Sequence, residues 1–215
     1  MDKSWKERVD ELGKQINELK VDDDGLHGYK LSPFLKEMIA LADSVNSDDK
    51  DTAEYLYRVY YYVGDVYTVI GRFSLAALYK QKSLEIAKIC KEQFKVKCPG
   101  VQELVFQLLR DRNYYVDDDC EDVIELAKDL VADIKLEEML EDRKRGRRSL
   151  KHDPVEMSEE YLAVIDEVEE KIEKNRTFKG MGSCHEIWGL KFQYLLEKGI
   201  RWKSPQILNP RVMFD

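Results

Sequence analysis

The chain has 215 residues, a net charge of −8, and a composition of 43% hydrophobic and 36% charged residues, which is typical of amphipathic helices in one domain or two small ones. The acidic balance disfavours nucleic-acid and anionic-membrane binding, because phosphate contacts draw on clustered lysine and arginine. No apolar run reaches the roughly 18 residues of a membrane span and no secretory leader is legible, so a cytoplasmic protein without membrane contact is expected.

The first 45 residues predict two amphipathic helices. The first carries its apolar residues three or four apart on one stripe, at Trp5, Val9, Leu12, Ile16 and Leu19. Residues 22–25 then predict a capped turn. A calcium loop is disfavoured there, because its register puts Lys20 at the first ligand position and no Glu closes it. Ser32 and Pro33 predict the start of the second helix, as its N-cap and first residue.

Residues 55–89 carry the most informative pattern, because small and aromatic residues fall where two closely packed helices need them. The first helix has Tyr60, Val63, Gly64 and Tyr67, and after a turn at Gly71 and Phe73 the second has Ala76, Tyr79 and Ser83. A glycine or alanine at a helix crossing removes the side chain that would hold the helices apart. Gly64 and Ala76 are therefore expected to face each other.

This spacing resembles a tetratricopeptide repeat, whose first helix carries an aromatic, Leu-Gly and Tyr, and whose second carries Ala, an aromatic and Ala. The resemblance covers one repeat, about residues 55–89. It departs at the end, where Lys88 replaces the closing proline and the apolar pattern continues through Ile89 and Phe94, so a longer second helix is expected. The resemblance implies an all-α fold in which antiparallel hairpins form a curved array.

The resemblance also implies a binding role, because the first helices of such hairpins line a concave groove that holds a peptide or a partner helix. The implied groove residues are Arg58, Tyr61, Asp65, Thr68 and Val69, with Tyr62 beside them. The lysine and asparagine set of carboxylate-clamping repeats is absent, which disfavours a C-terminal carboxylate as the ligand. An aromatic-rich core from Tyr55 to Tyr67 is the alternative.

Two further helices are expected after Cys98-Pro99-Gly100. One runs from Val101 to about Asn113. A longer one, capped by residues 117–119, has its apolar residues three or four apart, at Val123, Ile124, Ala127, Leu130, Val131, Ile134 and Met139.

A basic run from Arg143 to Arg148 is the sharpest change of composition in the chain. A short positive run among acidic helices is more typical of a solvated linker than of a nucleic-acid contact, although that contact remains an alternative. The predicted domains are therefore a helical-repeat region at 1–142, a linker at 143–157 and a C-terminal segment at 158–215.

The C-terminal segment is predicted to be helical and folded back on the body. Ser158 caps a helix with apolar residues from Tyr161 to Ile172. Two tryptophans, a terminal Phe214 and two proline-initiated turns favour packing over fraying. The tail resembles that of small bacterial helical proteins of no assigned activity, and this resemblance implies no function.

Cys184 and His185 form the one pair with catalytic character, because a helix N-terminus lowers a thiol's pKa and an imidazole can accept its proton. Adjacent helical residues diverge by about 100°, however, and no third group is evident. A Ser183 cap with Cys184 packed inward is the preferred interpretation. No two of the four cysteines form a CxxC pair, so reduced thiols and no metal or cofactor are expected.

The sequence thus predicts an intracellular all-α scaffold or adaptor that binds a protein or peptide partner and has no catalytic residue. The alternatives are a small thiol enzyme or redox unit at Cys184 and His185, and a nucleic-acid contact through Arg143–Arg148. Whether the protein forms a homo-oligomer is left open.

Overall fold

The computed structural model describes residues 4–19, 28–115, 120–145, 150–178 and 180–214, and only the backbone of Ser4 and of 143–145. Within these residues the regular structure is helical and no strand occurs, which confirms the all-α prediction. The helices are α1 Ser4–Glu18, α2 Gly28–Asp43, α3 Lys50–Val69, α4 Phe73–Phe94, α5 Val101–Arg112, α6 Glu121–Ala127, α7 Asp133–Arg145, α8 Glu159–Asn175, α9 Ser183–Glu197 and α10 Pro205–Leu208, with a 3₁₀ turn at Pro154–Met157. The turn predicted at 22–25, the cap predicted at 117–119 and residues 146–148 of the basic run lie outside the described residues.

The α3–α4 hairpin forms where the sequence predicts it, and its second helix is extended through Phe94. Gly71 occupies the turn with a φ of 73°, a conformation that glycine adopts without strain. A Cβ atom placed on Gly64 would lie 2.6 Å from Cγ of Lys80 and 3.2 Å from the carbonyl oxygen of Ala76. The predicted close approach of Gly64 and Ala76 is therefore confirmed, with the stem of Lys80 filling the rest of the contact.

Two predicted helix starts are wrong. α2 begins at Gly28, so Ser32 lies inside the helix, where its hydroxyl donates a hydrogen bond to Oδ2 of Asp166 at 2.8 Å instead of capping. Pro33 is accommodated within α2, since the missing N–H removes only one backbone hydrogen bond near the start of the helix. α9 is preceded by Gly182 with a φ of 85°, and Ser183 is its buried first residue.

The single long helix predicted after residue 120 is also wrong, because a turn at residues 128–132 divides it into α6 and α7. The backbone N–H groups of Leu130 and Val131 both donate to the carbonyl of Ala127, at 2.8 and 2.9 Å, and close this turn. The change of direction buries Val131 against the helices before it but leaves Ile134 66% exposed. In an uninterrupted helix these two residues, three apart, would lie on the same face, and the spacing alone does not reveal the break.

In the part of the chain that the structure describes, the buried apolar side chains form three clusters. One joins α1 and α2 to α3 and the start of α4, and it contains the predicted stripe of α1. The second joins α3 and α4 to α5, α6 and α7, and the third joins α8 and α9 to residues 200–202. α8 packs against α2, and this contact includes the carboxylates of Asp166 and Glu169, which accept hydrogen bonds from α2.

Candidate functional site

The structure separates the predicted groove residues of α3. Arg58 and Val69 are exposed. The Tyr61 ring packs edge-on against Tyr57, with centroids 6.1 Å apart, whereas the Tyr62 hydroxyl donates to Oδ1 of Asn17 on α1 at 2.9 Å. The two tyrosines therefore contact different neighbours.

Asp65 and Thr68 meet at a buried ion pair that the sequence pattern does not predict. The Lys80 ammonium, which is fully buried, donates to Oδ2 of Asp111 at 2.6 Å and to the Thr68 hydroxyl at 2.7 Å. Oδ1 of Asp65 lies 3.5 Å from the same ammonium, and burial raises the pKa of the Asp65 carboxyl. Three of the six predicted residues, Tyr62, Asp65 and Thr68, thus contact other helices of the same chain, and the role of the set in partner binding stays a prediction.

A concave surface lies at the end of the hairpin opposite the α3–α4 turn, between the C-terminus of α4, the start of α5 and the α6–α7 turn. We call it the basic cleft. Its volume is about 510 Å³, and its lining residues are Lys88, Lys91, Glu92, Lys95, Val96, Lys97, Cys98, Val101, Asp129 and Leu130. Four lysines thus surround an apolar floor, and two acidic residues, Glu92 and Asp129, offset only part of their positive charge.

Local backbone geometry opens the basic cleft. α4 ends at Phe94, and the following residue, Lys95, has a left-handed φ of 57°, which turns the chain away from the helix axis. The Lys91 ammonium donates to the carbonyl of Asp129 across the cleft, and that of Lys95 donates to the carbonyl of Glu92 at 2.9 Å. Burial raises the pKa of the Cys98 thiol to about 12, so this lining cysteine stays protonated. The cleft therefore offers positive charge and apolar surface, with no reactive thiolate.

A second polar region lies where α8 meets the α3–α4 turn. The Arg72 guanidinium is 2.8 Å from Oε2 of Glu169 and 2.6 Å from Oδ1 of Asp166. The backbone N–H of Tyr29 also donates to Oε2 of Glu169, at 3.1 Å. Burial raises the pKa of Glu169 despite Arg72. In Asp166 the effect of burial is outweighed by Arg72 and two hydrogen bonds, which lower the pKa.

The buried carboxylate of Glu156, on the 3₁₀ turn, lies next to this region and is surrounded by four polar side chains. Its Oε1 accepts a hydrogen bond from Nε1 of Trp202 at 2.7 Å, and its Oε2 accepts one from the Tyr115 hydroxyl at 3.1 Å. Nδ1 of His152 is 3.3 Å from Oε2, and Nζ of Lys191 is 3.7 Å from Oε1. Burial alone would raise the pKa of Glu156, but Lys191, His152 and Trp202 together lower it to about 2.

Two cavities adjoin these charged groups. The polar junction cavity, of about 140 Å³, is lined by Arg72, Glu156, Tyr161, Glu169, Trp188 and Lys191, among others. The apolar junction pocket, of about 300 Å³, is lined mainly by Leu75, Ala77, Leu78, Met157 and Leu162. Ser74, Tyr115 and Leu162 line both, so the two cavities are adjacent.

The described residues of the thiol-enzyme and nucleic-acid hypotheses lie on α9 and at the end of α7. Nε2 of His185 lies 3.1 Å from the carbonyl of Phe214, and the His185 ring packs edge-on against Trp188. Cys184 is partly buried, and none of the four cysteines forms a disulfide. Residues 143–145 belong to α7. No group of three or more His, Cys, Asp or Glu side chains in the described part of the chain is arranged to hold a metal ion.

No family model matches the sequence, and neither the curated proteins nor the solved structures contain a match to it. Among the described residues, none of the helices combines the length and the apolar character that crossing a membrane requires.

Proposed function

We propose that the protein is a non-catalytic intracellular binding scaffold that captures an acidic segment of a protein partner in the basic cleft. The observation that carries this proposal is the concentration of four lysines around an apolar floor, in a chain whose net charge is −8. Charge of one sign in a concave surface favours approach of the opposite charge, and apolar floor residues add burial once contact is made. The preferred segment therefore carries Asp or Glu residues beside an apolar one.

A peptide fits this cleft better than a nucleic acid does. The lining residues include no aromatic side chain on which a base could stack, and they include the carboxylates of Glu92 and Asp129, which repel phosphate. The negative charge of the whole chain acts in the same direction. A short acidic peptide presents fewer charges and places its own apolar residues on the floor of the cleft.

The α3–α4 hairpin serves in this proposal as a tetratricopeptide-like unit within a curved array of antiparallel hairpins. The close approach at Gly64 and the extension of α4 through Phe94 support it. The extended part of α4 carries Lys88 and Lys91 of the cleft. Arg58 and Val69, which are exposed on α3, provide a second surface that the same partner could reach.

Selection from a random peptide library tests the proposal and does not require the partner to be identified first. The immobilised wild type is expected to enrich peptides rich in Asp and Glu with an apolar residue between them. Affinity of the enriched peptides, measured by fluorescence polarisation, should fall as salt is raised, because the exposed charges are screened. An eight-residue oligothymidylate serves as the nucleic-acid probe.

Charge-reversal variants locate the binding surface. The double variant Lys88→Glu/Lys97→Glu should lose most of the affinity for the enriched peptides. The matched control, Lys135→Glu/Lys198→Glu, changes the net charge equally on exposed lysines outside the cleft and should keep it. Enrichment of neutral or basic peptides, equal binding by the two double variants, or tighter binding of the oligothymidylate would each contradict the proposal.

A further inference from the structure

The polar junction cavity is separate from the basic cleft, and its charges are balanced. Arg72 pairs with Glu169, and Lys191 faces Glu156. The remaining carboxylate nearby, Asp166, is also paired with the exposed Lys36 at 2.8 Å. An added anion or cation would leave a net charge in a largely buried space, which is unfavourable, whereas a molecule that carries both signs would not.

Three polar groups of the cavity keep unused hydrogen-bonding capacity. Nζ of Lys191 lies 3.7 Å from its nearest carboxylate oxygen, beyond hydrogen-bond distance, although its side chain is only 18% exposed. The Tyr161 hydroxyl makes no hydrogen bond within the described residues, and Glu169 bonds through Oε2, leaving Oε1 as an acceptor. One cationic donor, one hydroxyl and one carboxylate oxygen therefore line a single cavity.

The rings around Lys191 hold its ammonium in place. Nζ lies 4.7 Å from the centroid of the Trp202 ring and 5.2 Å from that of Tyr161. Cation–π contacts of this kind orient an ammonium without using its N–H donors. Those donors are then available to a ligand carboxylate, while Oε1 of Glu169 is available to a ligand ammonium.

From this arrangement we propose that the junction binds a free amino acid with an apolar side chain. Its carboxylate accepts hydrogen bonds from Lys191 and Tyr161, and its ammonium donates to Glu169. Its side chain extends toward the adjacent apolar junction pocket, whose volume of about 300 Å³ exceeds that of the polar cavity. The site goes beyond the scaffold function, since neither of its cavities includes the lysines of the basic cleft.

A ligand series on the wild type tests the charge pattern. L-Leucine is titrated by calorimetry and by tryptophan fluorescence, since Trp188 lines the cavity, and it is compared with N-acetylleucine, leucinamide and glycine. Loss of one charge-assisted hydrogen bond, or of the apolar side chain, is expected to weaken binding about tenfold or more. If leucine does not bind, or if N-acetylleucine or leucinamide binds as tightly as leucine, the proposal is wrong.

Variants test the location of the site. Lys191→Met should weaken leucine binding about tenfold or more, whereas Lys198→Met, which removes an exposed lysine paired with Glu167, should not change it. Leu78→Asp places a charge in the apolar pocket at a position that is already 48% exposed, so it is expected to fold and to lose leucine binding. Unchanged binding in folded Lys191→Met or in Leu78→Asp would overturn the proposal. If Lys191→Met does not fold, Leu78→Asp and the ligand series decide.

Discussion

Replacing Lys80 with methionine should destabilise the fold strongly, because the buried charge of Asp111 would keep only the Thr68 hydroxyl, at 3.0 Å, and the longer contact with Arg110, at 3.3 Å. Both side chains are fully buried, and the two charged groups are 2.6 Å apart. Removing one member of such a pair typically lowers the free energy of unfolding by about 3–5 kcal/mol. For a chain of this length, that corresponds to a fall in melting temperature of roughly 6–20 °C.

The double variant Lys80→Met/Asp111→Leu should recover most or all of this loss. Replacing both members of a buried ion pair with apolar residues of similar volume is commonly neutral or stabilising, by up to about 4 kcal/mol. The surroundings permit it. Thr68 can still donate to the carbonyl of Gly64 at 3.2 Å, and Asp65, whose side chain is 47% exposed, can turn to water.

Urea unfolding followed by circular dichroism measures these free energies, with Lys88→Met as the matched control. Lys88 lies on the same helix, and its ion pair with Glu92 is longer, at 3.9 Å, so the control should change stability by about 1 kcal/mol or less. Equal destabilisation in the single and double variants would show that the altered packing of the side chains, and not the unpaired charge, lowers the free energy of unfolding. A single variant as stable as the control would refute the stabilising role of this ion pair altogether.

Three further predictions concern the hairpin, the junction and the thiol. Gly64→Leu should lower the free energy of unfolding by about 1–3 kcal/mol or more, because the new side chain would clash with Lys80 and with the backbone of α4. The control Gly189→Leu should be tolerated, because a Cβ atom there meets nothing within 4 Å. Equal melting temperatures of the two variants would contradict this prediction. Because the pKa of Glu156 is lowered from 4.5 to about 2, its charge contributes about 3 kcal/mol above pH 4.5, and this contribution is lost as the pH falls through 2. The difference in the free energy of unfolding between wild type and Glu156→Gln should therefore shrink on acidification. A difference that is constant with pH would be evidence against a stabilising Glu156 charge. Cys184 should react with a thiol reagent at the rate of an ordinary or buried thiol, and fast labelling that Cys184→Ser abolishes and His185→Ala slows would instead favour the thiol-enzyme hypothesis.

The helices that the sequence predicts well are those whose local pattern and packing agree. The stripe of α1 and the small residues of the α3–α4 hairpin are determined by contacts with neighbouring helices, so periodicity reveals them. The break between α6 and α7 is different, because each half has acceptable helical spacing. Burial of Val131 against helices distant in sequence decides it, and that information is absent from the local pattern.

The polar sites could not be predicted for a related reason. Lys80 and Asp111 are 31 residues apart, and Arg72 and Glu169 are 97 apart. Charged residues at such positions are expected on solvated helix faces, and nothing in the spacing distinguishes those that become buried. The lysines from 88 to 97 are visible in the sequence as charge near a helix end, but the cleft depends on the left-handed turn at Lys95 and on the distant Leu130.

Mapping a selected acidic peptide onto the protein by two-dimensional ¹H–¹⁵N NMR tests the central claim most directly. If the basic cleft is the binding surface, the backbone amides with the largest shift changes will be those of Val96, Lys97 and Val101, on its floor and rim, and these changes will diminish at high salt. Changes centred on Arg58 and Val69 of α3, or on the basic run at 143–148, with the cleft unaffected, would contradict it.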